Sequence, residues 1–168
     1  MTSGLQGTPQ IIEREPVTYA GYRRFVPPDQ IAAFADDLTT IPRWLIGKNI
    51  FPVGAPFFMY ETIDMERGYE MVAGFPIDVP VNDEGEFFYG ALPGGRFVSV
   101  IHKGHPAQII DSTRELLAWA ERERLQFDHT ETPDGDKWAC RLEIYLTDPV
   151  DVPNMDEWET ELAFKLAR

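Results

Sequence analysis

With 168 residues, 43% of them hydrophobic and 26% charged, the chain has the length and balance of one globular domain with a core of its own. Lys and Arg number 15 against 28 Asp and Glu, and the resulting net charge of −13 repels a phosphate backbone, which argues against direct nucleic-acid binding. No apolar run reaches the roughly 18 residues of a membrane span, and MTSGLQGTPQ lacks the basic start and apolar stretch of a signal peptide, so a cytoplasmic protein without a membrane partner is expected.

A tail over 1–8 precedes a first strand expected at Gln10–Arg14. VTYAGYRRFV, from Val17, alternates as a second strand. Pro27-Pro28 then introduces a helix whose Ile31, Phe34, Ala35, Leu38 and Ile41 recur at helical spacing, until Pro42 kinks or ends it. PFFMYETIDM and YEMVAGFPI read as a strand pair turning at Glu66-Arg67-Gly68. VPVNDEGE is rich in turn formers and marks a joint, and a strand at Glu86–Ala91 opens the second half. GRFVSVIHKG is the next strand, and Pro106 introduces a second helix with an apolar stripe of Ile109, Ile110, Thr113, Leu116, Leu117 and Ala120. The last strand pair is WACRLEIYLT and EWETELAFKLA, joined through DPVDVPNMD.

The order strand–helix–strand–strand therefore occurs twice. One shift superposes Gln30-Ile31 on Gln108-Ile109 and Leu38 on Leu116, giving pseudo-repeats over about 9–78 and 84–168 within a single domain, 1–168. Neither half alone buries both faces of its strands. An α+β fold is the consequence: duplicated βαββ units, an antiparallel-rich sheet, two helices on one face and a ligand groove on the other.

Strand alternation selects the groove residues. Cys140, Leu142, Ile144 and Leu146 form one apolar face, expected to pack under the helices, and leave Arg141, Glu143 and Tyr145 on the opposite face. A mid-strand carboxylate among aromatics is costly to desolvate unless a cation compensates it, so Glu143 and Tyr145 head the ligand-binding set. Aligning Tyr60 with Tyr145 adds Phe58 and Tyr60; a slip of one residue would present Met59 and Glu61 instead. Tyr19, Tyr22, Phe88 and Trp119 complete an aromatic lining suited to cation–π contacts. Cys140 is expected to be a buried core thiol.

The run Glu143-Ile144-Tyr145-Leu146-Thr147-Asp148-Pro149, and after it Trp158-Glu159-Thr160-Glu161-Leu162, resembles the C-terminal signature of GyrI-like effector-binding domains, the bacterial transcription-activator (AraC-type) effector-binding family within the SOUL/GyrI-like superfamily. VSVIHKGHPAQI looks like that family's strand–Gly–helix entry, and Trp119 falls where a Trp often comes next. The Gly104-His105-Pro106 loop and the Phe164-Lys165-Leu166 ending depart from the family pattern. The resemblance implies a groove between the halves in which Glu143 and Tyr145 match the residues that hold lipophilic cations in multidrug-sensing members. It also implies a stand-alone domain, because the short stretch before the first strand leaves no room for a helix-turn-helix module.

The expected partner is a small molecule, with no cofactor and no metal. No Gly-rich phosphate loop, HExxH, CxxC or Gly-x-Ser-x-Gly occurs. His102 and His105 are too isolated to form a metal site, although heme-binding SOUL proteins make His102 the residue to examine as a heme ligand. The resemblance also brings two alternatives. One is hydrolysis of electrophilic small molecules with Glu143 as general base and Tyr145 as proton donor; the other is inhibition of a protein partner.

Overall fold

The computed structural model describes residues 4–168. The first half holds β1 (Leu5–Arg14), β2 (Val17–Val26), α1 (Ile31–Asp36), α2 (Thr40–Gly47), β3 (Phe57–Asp64) and β4 (Gly68–Pro76). The second holds β5 (Phe88–Leu92), β6 (Gly95–Lys103), α3 (Ile109–Arg122), β7 (His129–Thr132), β8 (Gly135–Trp138), β9 (Arg141–Tyr145) and β10 (Glu159–Lys165). The duplicated strand–helix–strand–strand order is thus present, in an α+β fold with an antiparallel sheet.

Four local details differ from the sequence reading. β1 begins at Leu5, ahead of the expected Gln10; of the expected tail, residues 1–3 lie outside the described residues. An irregularity between Gln6 and Gln10 takes up Gly7 and Pro9, residues that an edge strand tolerates because its outer N–H groups have no partner. The first helix breaks before Pro42, in a 3-10 turn at Asp37–Thr39, because the ring of a proline collides with the carbonyl four residues earlier; Pro42 itself sits in the first turn of α2. On α3 the buried residues are Ile109, Ser112, Leu116 and Ala120, and Ile110 points outward. The β7–β8 hairpin, turning at Pro133-Asp134, was not expected; it attaches to β3 through Thr62–Lys137 and Ile63–Asp136.

Strand order is β1–β6–β10–β9–β3–β4–β2–β5. Only Glu15-Pro16 separates β1 from β2, and only Pro93-Gly94 separates β5 from β6, yet each pair lies six places apart in the sheet. Laid flat, six steps of about 4.8 Å would place them about 29 Å apart. Two linking residues span roughly 10 Å. The sheet must therefore curl until its ends approach.

Inside the curl lies a core made by the strands and their flanking residues, with no helix in it: Tyr19, Phe57, Met59, Val72, Leu92, Phe97, Cys140, Leu142, Ile144 and Ala163. It draws on both ends of the sheet, and its buried side chains occupy the face on which the groove was expected. Tyr19 meets Phe57 edge-on at 5.1 Å, and a Cβ on Gly74 would come within 2.8 Å of both rings, so glycine there makes room for the pair. Cys140, Leu142 and Ile144 belong to this interior and not under the helices, as alternation alone had placed them; Leu146, last of that series, is exposed.

The helices cover the outer face. Phe34, Ile41 and Leu45 of α1 and α2 pack on Ala20, Tyr22, Phe58, Met71 and Ala73. Ile109 and Leu116 of α3 pack on Val98, Val100, Leu162 and Phe164.

Candidate functional site

Cross-strand pairing fixes one row of side chains across this outer face: Val100, Leu162, Glu143, Phe58, Ala73 and Tyr22, each directly opposite the next. α3 covers the Val100–Leu162 end and α1 with α2 cover the Phe58–Tyr22 end. Glu143 is the member between them, so the single carboxylate of the row stands where neither helical unit supplies an apolar lid.

Around it lies a strip of partly accessible side chains between the two helical units, here termed the furrow. Tyr60, Tyr69, Arg141, Glu143 and Tyr145 are all half-buried, while Phe58, Met71 and Leu162 beside them are buried. Tyr145, two residues along β9, belongs to the apolar shells of both helical units and meets Phe58 edge-on at 5.1 Å. Its hydroxyl donates to Glu143 Oε1 at 2.7 Å. Tyr60 lies near the same carboxyl and meets Tyr69 edge-on at 5.7 Å. A bulge comes next along β3: the register shifts between Tyr60 and Thr62, which keeps Tyr60 and Ile63 both on the helix side.

Electrostatics in the furrow are set by desolvation. Burial pushes the Glu143 carboxyl above its ordinary range, and the hydrogen bond from Tyr145, the nearby phenol of Tyr60 and the charge of Arg141 offset only part of that. Burial, and after it the nearby charge of Glu143, holds the phenols of Tyr60 and Tyr145 far above theirs, so both remain donors at any physiological pH. Burial pulls Arg141 below its usual range, opposed by Glu143 and Tyr60. The arrangement is a carboxylate with one phenol donor, Tyr145, a second phenol and one guanidinium nearby, and aromatic neighbours. It suits the capture of an organic cation, whose charge stabilises the ionised carboxylate that burial opposes.

Of the sequence-selected residues, the structure brings together Glu143, Tyr145, Phe58 and Tyr60. The one-residue slip does not occur: Met59 points into the helix-free core. Tyr19 and Phe88 are also on that inner face, 5.7 Å apart between ring centres, because their strand positions have the opposite parity to Tyr22. They do not reach the furrow. Tyr22 shares the row with Glu143 but stands under α1 against Phe34, beneath the guanidinium of Arg24 at 4.2 Å, with Phe58 and Ala73 intervening. Trp119 packs within the α3 cluster. Tyr69 and Arg141 join the furrow without having been selected, although Arg141 shares the parity of Glu143 and was legible from it.

His102 is fully buried, with Nδ1 2.6 Å from Ser112 Oγ and Nε2 3.3 Å from the His105 carbonyl oxygen. Both nitrogens are engaged in tying β6 to α3, so neither is left to ligate a heme iron. Among the described residues no cluster of His, Cys, Asp and Glu is placed to hold a metal. No described helix is long and apolar enough to cross a membrane. Two open concavities, about 620 and 420 Å³, lie elsewhere, one beside Arg96 and Lys165 and one beside Arg67 and Glu70.

The sequence matches the GyrI-like small molecule binding domain over residues 7–167. The chain belongs to the GyrI-like family. No curated protein matches it. Among solved structures, the EcmrR C-terminal domain is similar at 16% identity and a TM-score of 0.75, with 96% of this chain and 98% of that one covered. The EcmrR–DNA complex gives 17% and 0.78, and there this GyrI-like chain spans only 57% of the EcmrR chain. SAV2435 bound to tetraphenylphosphonium is similar at 11% identity and 0.64, covering 96% and 94% of the two chains. A hydrolase from Listeria innocua is similar at 16% and 0.60, covering 95% and 92%. At these identities the structures establish a shared fold.

Proposed function

We propose that this GyrI-like domain binds a lipophilic organic cation in the furrow between its two helical units, with Glu143 as the counter-charge and Tyr60, Tyr145 and Phe58 as the aromatic surround. The observation that carries the reading is the position of Glu143: one carboxylate in an otherwise apolar row, hydrogen-bonded by Tyr145 at 2.7 Å and desolvated enough that its carboxyl is raised. A buried carboxylate without a cation is unfavourable, and a ligand that supplies one recovers that free energy on binding. SAV2435, with the same fold, is bound to tetraphenylphosphonium, a cation of this chemistry. The acidic surface, at net charge −13, draws cations toward the furrow. On this reading the domain is a cytoplasmic binder of such compounds.

The test is thermal unfolding with tetraphenylphosphonium for wild type and Glu143→Gln. A concentration-dependent rise in Tm for wild type that the variant loses supports the reading. An equal rise in both removes Glu143 from recognition, and no rise in either folded protein turns attention to a protein partner.

Hydrolysis is the second reading, favoured by the Tyr145–Glu143 hydrogen bond and the raised carboxyl, which together are the parts of a general base poised nearer neutrality. It predicts consumption of an electrophilic substrate by wild type and none by Glu143→Gln.

A further inference from the structure

Among the described residues the guanidinium of Arg141 has no protein acceptor. Among the described residues no carboxylate, carbonyl or hydroxyl receives a hydrogen bond from it and no ion pair reaches it, whereas Arg14, Arg23, Arg24 and Arg67 each reach a carboxylate. Its charge is instead caged by rings: the guanidinium carbon lies 4.6 Å from the Phe164 ring centre, 4.7 Å from Trp138 and 5.9 Å from Tyr60. Three aromatic contacts hold a cation in place but accept none of its five N–H donors. Arg141 shares the furrow face with Glu143, two residues along the same strand, which sets their backbone positions about 6.6 Å apart. The two are near enough to feel each other's charge without forming an ion pair.

We infer that the ligand of this furrow is dipolar: besides the cationic or ring portion set against Glu143, it carries an anionic group, a carboxylate or sulfonate, that docks on Arg141. The inference rests on the Glu143 reading and narrows its substrate class. A guanidinium held beside three rings keeps its planar N–H fork, which suits two parallel hydrogen bonds to such a group. A purely cationic ligand would leave those donors unmatched and add a like charge beside them.

The test compares rhodamine B with its ethyl ester, two dyes that differ in a single carboxylate, by fluorescence anisotropy on the intact chain, with tetraphenylphosphonium as the reference cation. The acidic surface and Glu143 both favour the ester, so a preference for the free acid requires a local cation. Wild type is expected to bind the acid about tenfold more tightly than the ester. Arg141→Met, which keeps an unbranched apolar stem among the three rings, is expected to reverse that preference. Because both dyes are measured on the same protein, a general loss of stability cancels in the ratio, and if the variant fails to fold the wild-type ratio decides alone. Equal binding, tighter binding of the ester, or no binding of either dye while tetraphenylphosphonium still binds through Glu143 overturns the inference and leaves the Glu143 reading standing. Binding of tetraphenylphosphonium that ignores Glu143→Gln sinks that reading itself.

Discussion

The two faces of the curled sheet solve different problems with the same strands. On the inner face, Leu142, Phe57 and Tyr19 belong to a hydrophobic cluster to which no helix contributes. On the outer face, one residue further along each strand, Glu143, Arg141 and Tyr60 stand among the rings that underlie the helices. The inner face is closed by covalent connection, through two links of two residues each, and needs no lid. The outer face depends on two helical units that meet the sheet on either side of Glu143. The apolar interior and the proposed recognition surface are thereby separated by side-chain parity, a distance of one peptide unit.

Truncating a buried apolar side chain on either face should give the largest effect. Leu142→Ala removes a fully buried side chain from a core to which no helix contributes, and is expected to lower unfolding free energy by about 2–5 kcal/mol in denaturant titration. The affinity of the folded fraction for tetraphenylphosphonium should remain that of wild type. Phe58→Ala, on the outer face, should cost about 3–5 kcal/mol and weaken ligand binding too, since Phe58 contacts both Phe34 and Tyr145. A loss of ligand affinity as large in Leu142→Ala would show that the faces are not independent.

A smaller effect, of opposite sign, is expected at Glu143. Its folded carboxyl is raised, chiefly by burial, so its contribution to stability is complete below the ordinary carboxylate value and is lost as pH rises through the raised one. The stability difference between Glu143→Gln and wild type should therefore grow in favour of the variant across that interval, as measured by urea unfolding in a series of buffers. A difference independent of pH would mean that the folded protein keeps Glu143 as accessible as the unfolded chain does.

Cys140 reports on the inner face with little perturbation. Burial pushes its thiol up to about 12, so thiol reagents at pH 8 should label it only at the rate of opening, and the rate should rise with denaturant as the core is exposed. Rapid labelling of native protein would show that the helix-free core admits solvent. The least effect is expected at the β3–β4 turn. Asp64 accepts from the backbone N–H groups of Arg67 and Glu66 and from the Arg67 side chain, which lower its carboxyl to about 2. Its contribution is present above the ordinary carboxylate value and lost as pH falls toward 2, so Asp64→Asn should flatten only the acid end of the stability profile.

Much of the site was legible because β-strand parity is a local property. Glu143 and Tyr145 share a face whatever else the sheet does, and the repeat supplies Phe58 and Tyr60. The side on which the helices lie was not legible from β9 alone, since an apolar strand face marks a buried surface without saying what buries it. Curling supplied a second apolar interior, and Cys140, Leu142 and Ile144 went there. That curl is written in Glu15-Pro16 and Pro93-Gly94, but those links carry the information only once the strand order is known. Tyr19 and Phe88 were misplaced for the same reason. The β7–β8 hairpin escaped notice although Pro133-Asp134-Gly135 marks its turn, because strands of four residues show too little alternation to separate from a loop.

The pairing of β1 with β6 also bears on how the protein is made. Arg14 finds its partner at Gly95 and Leu5 finds its own at His102. A ribosome adding about 5–20 residues per second exposes β1 for several seconds before β6 exists to receive it. Through that interval the first strand has open edges on both sides, and its Gly7 and Pro9, poor residues for a strand, discourage it from pairing with another nascent chain.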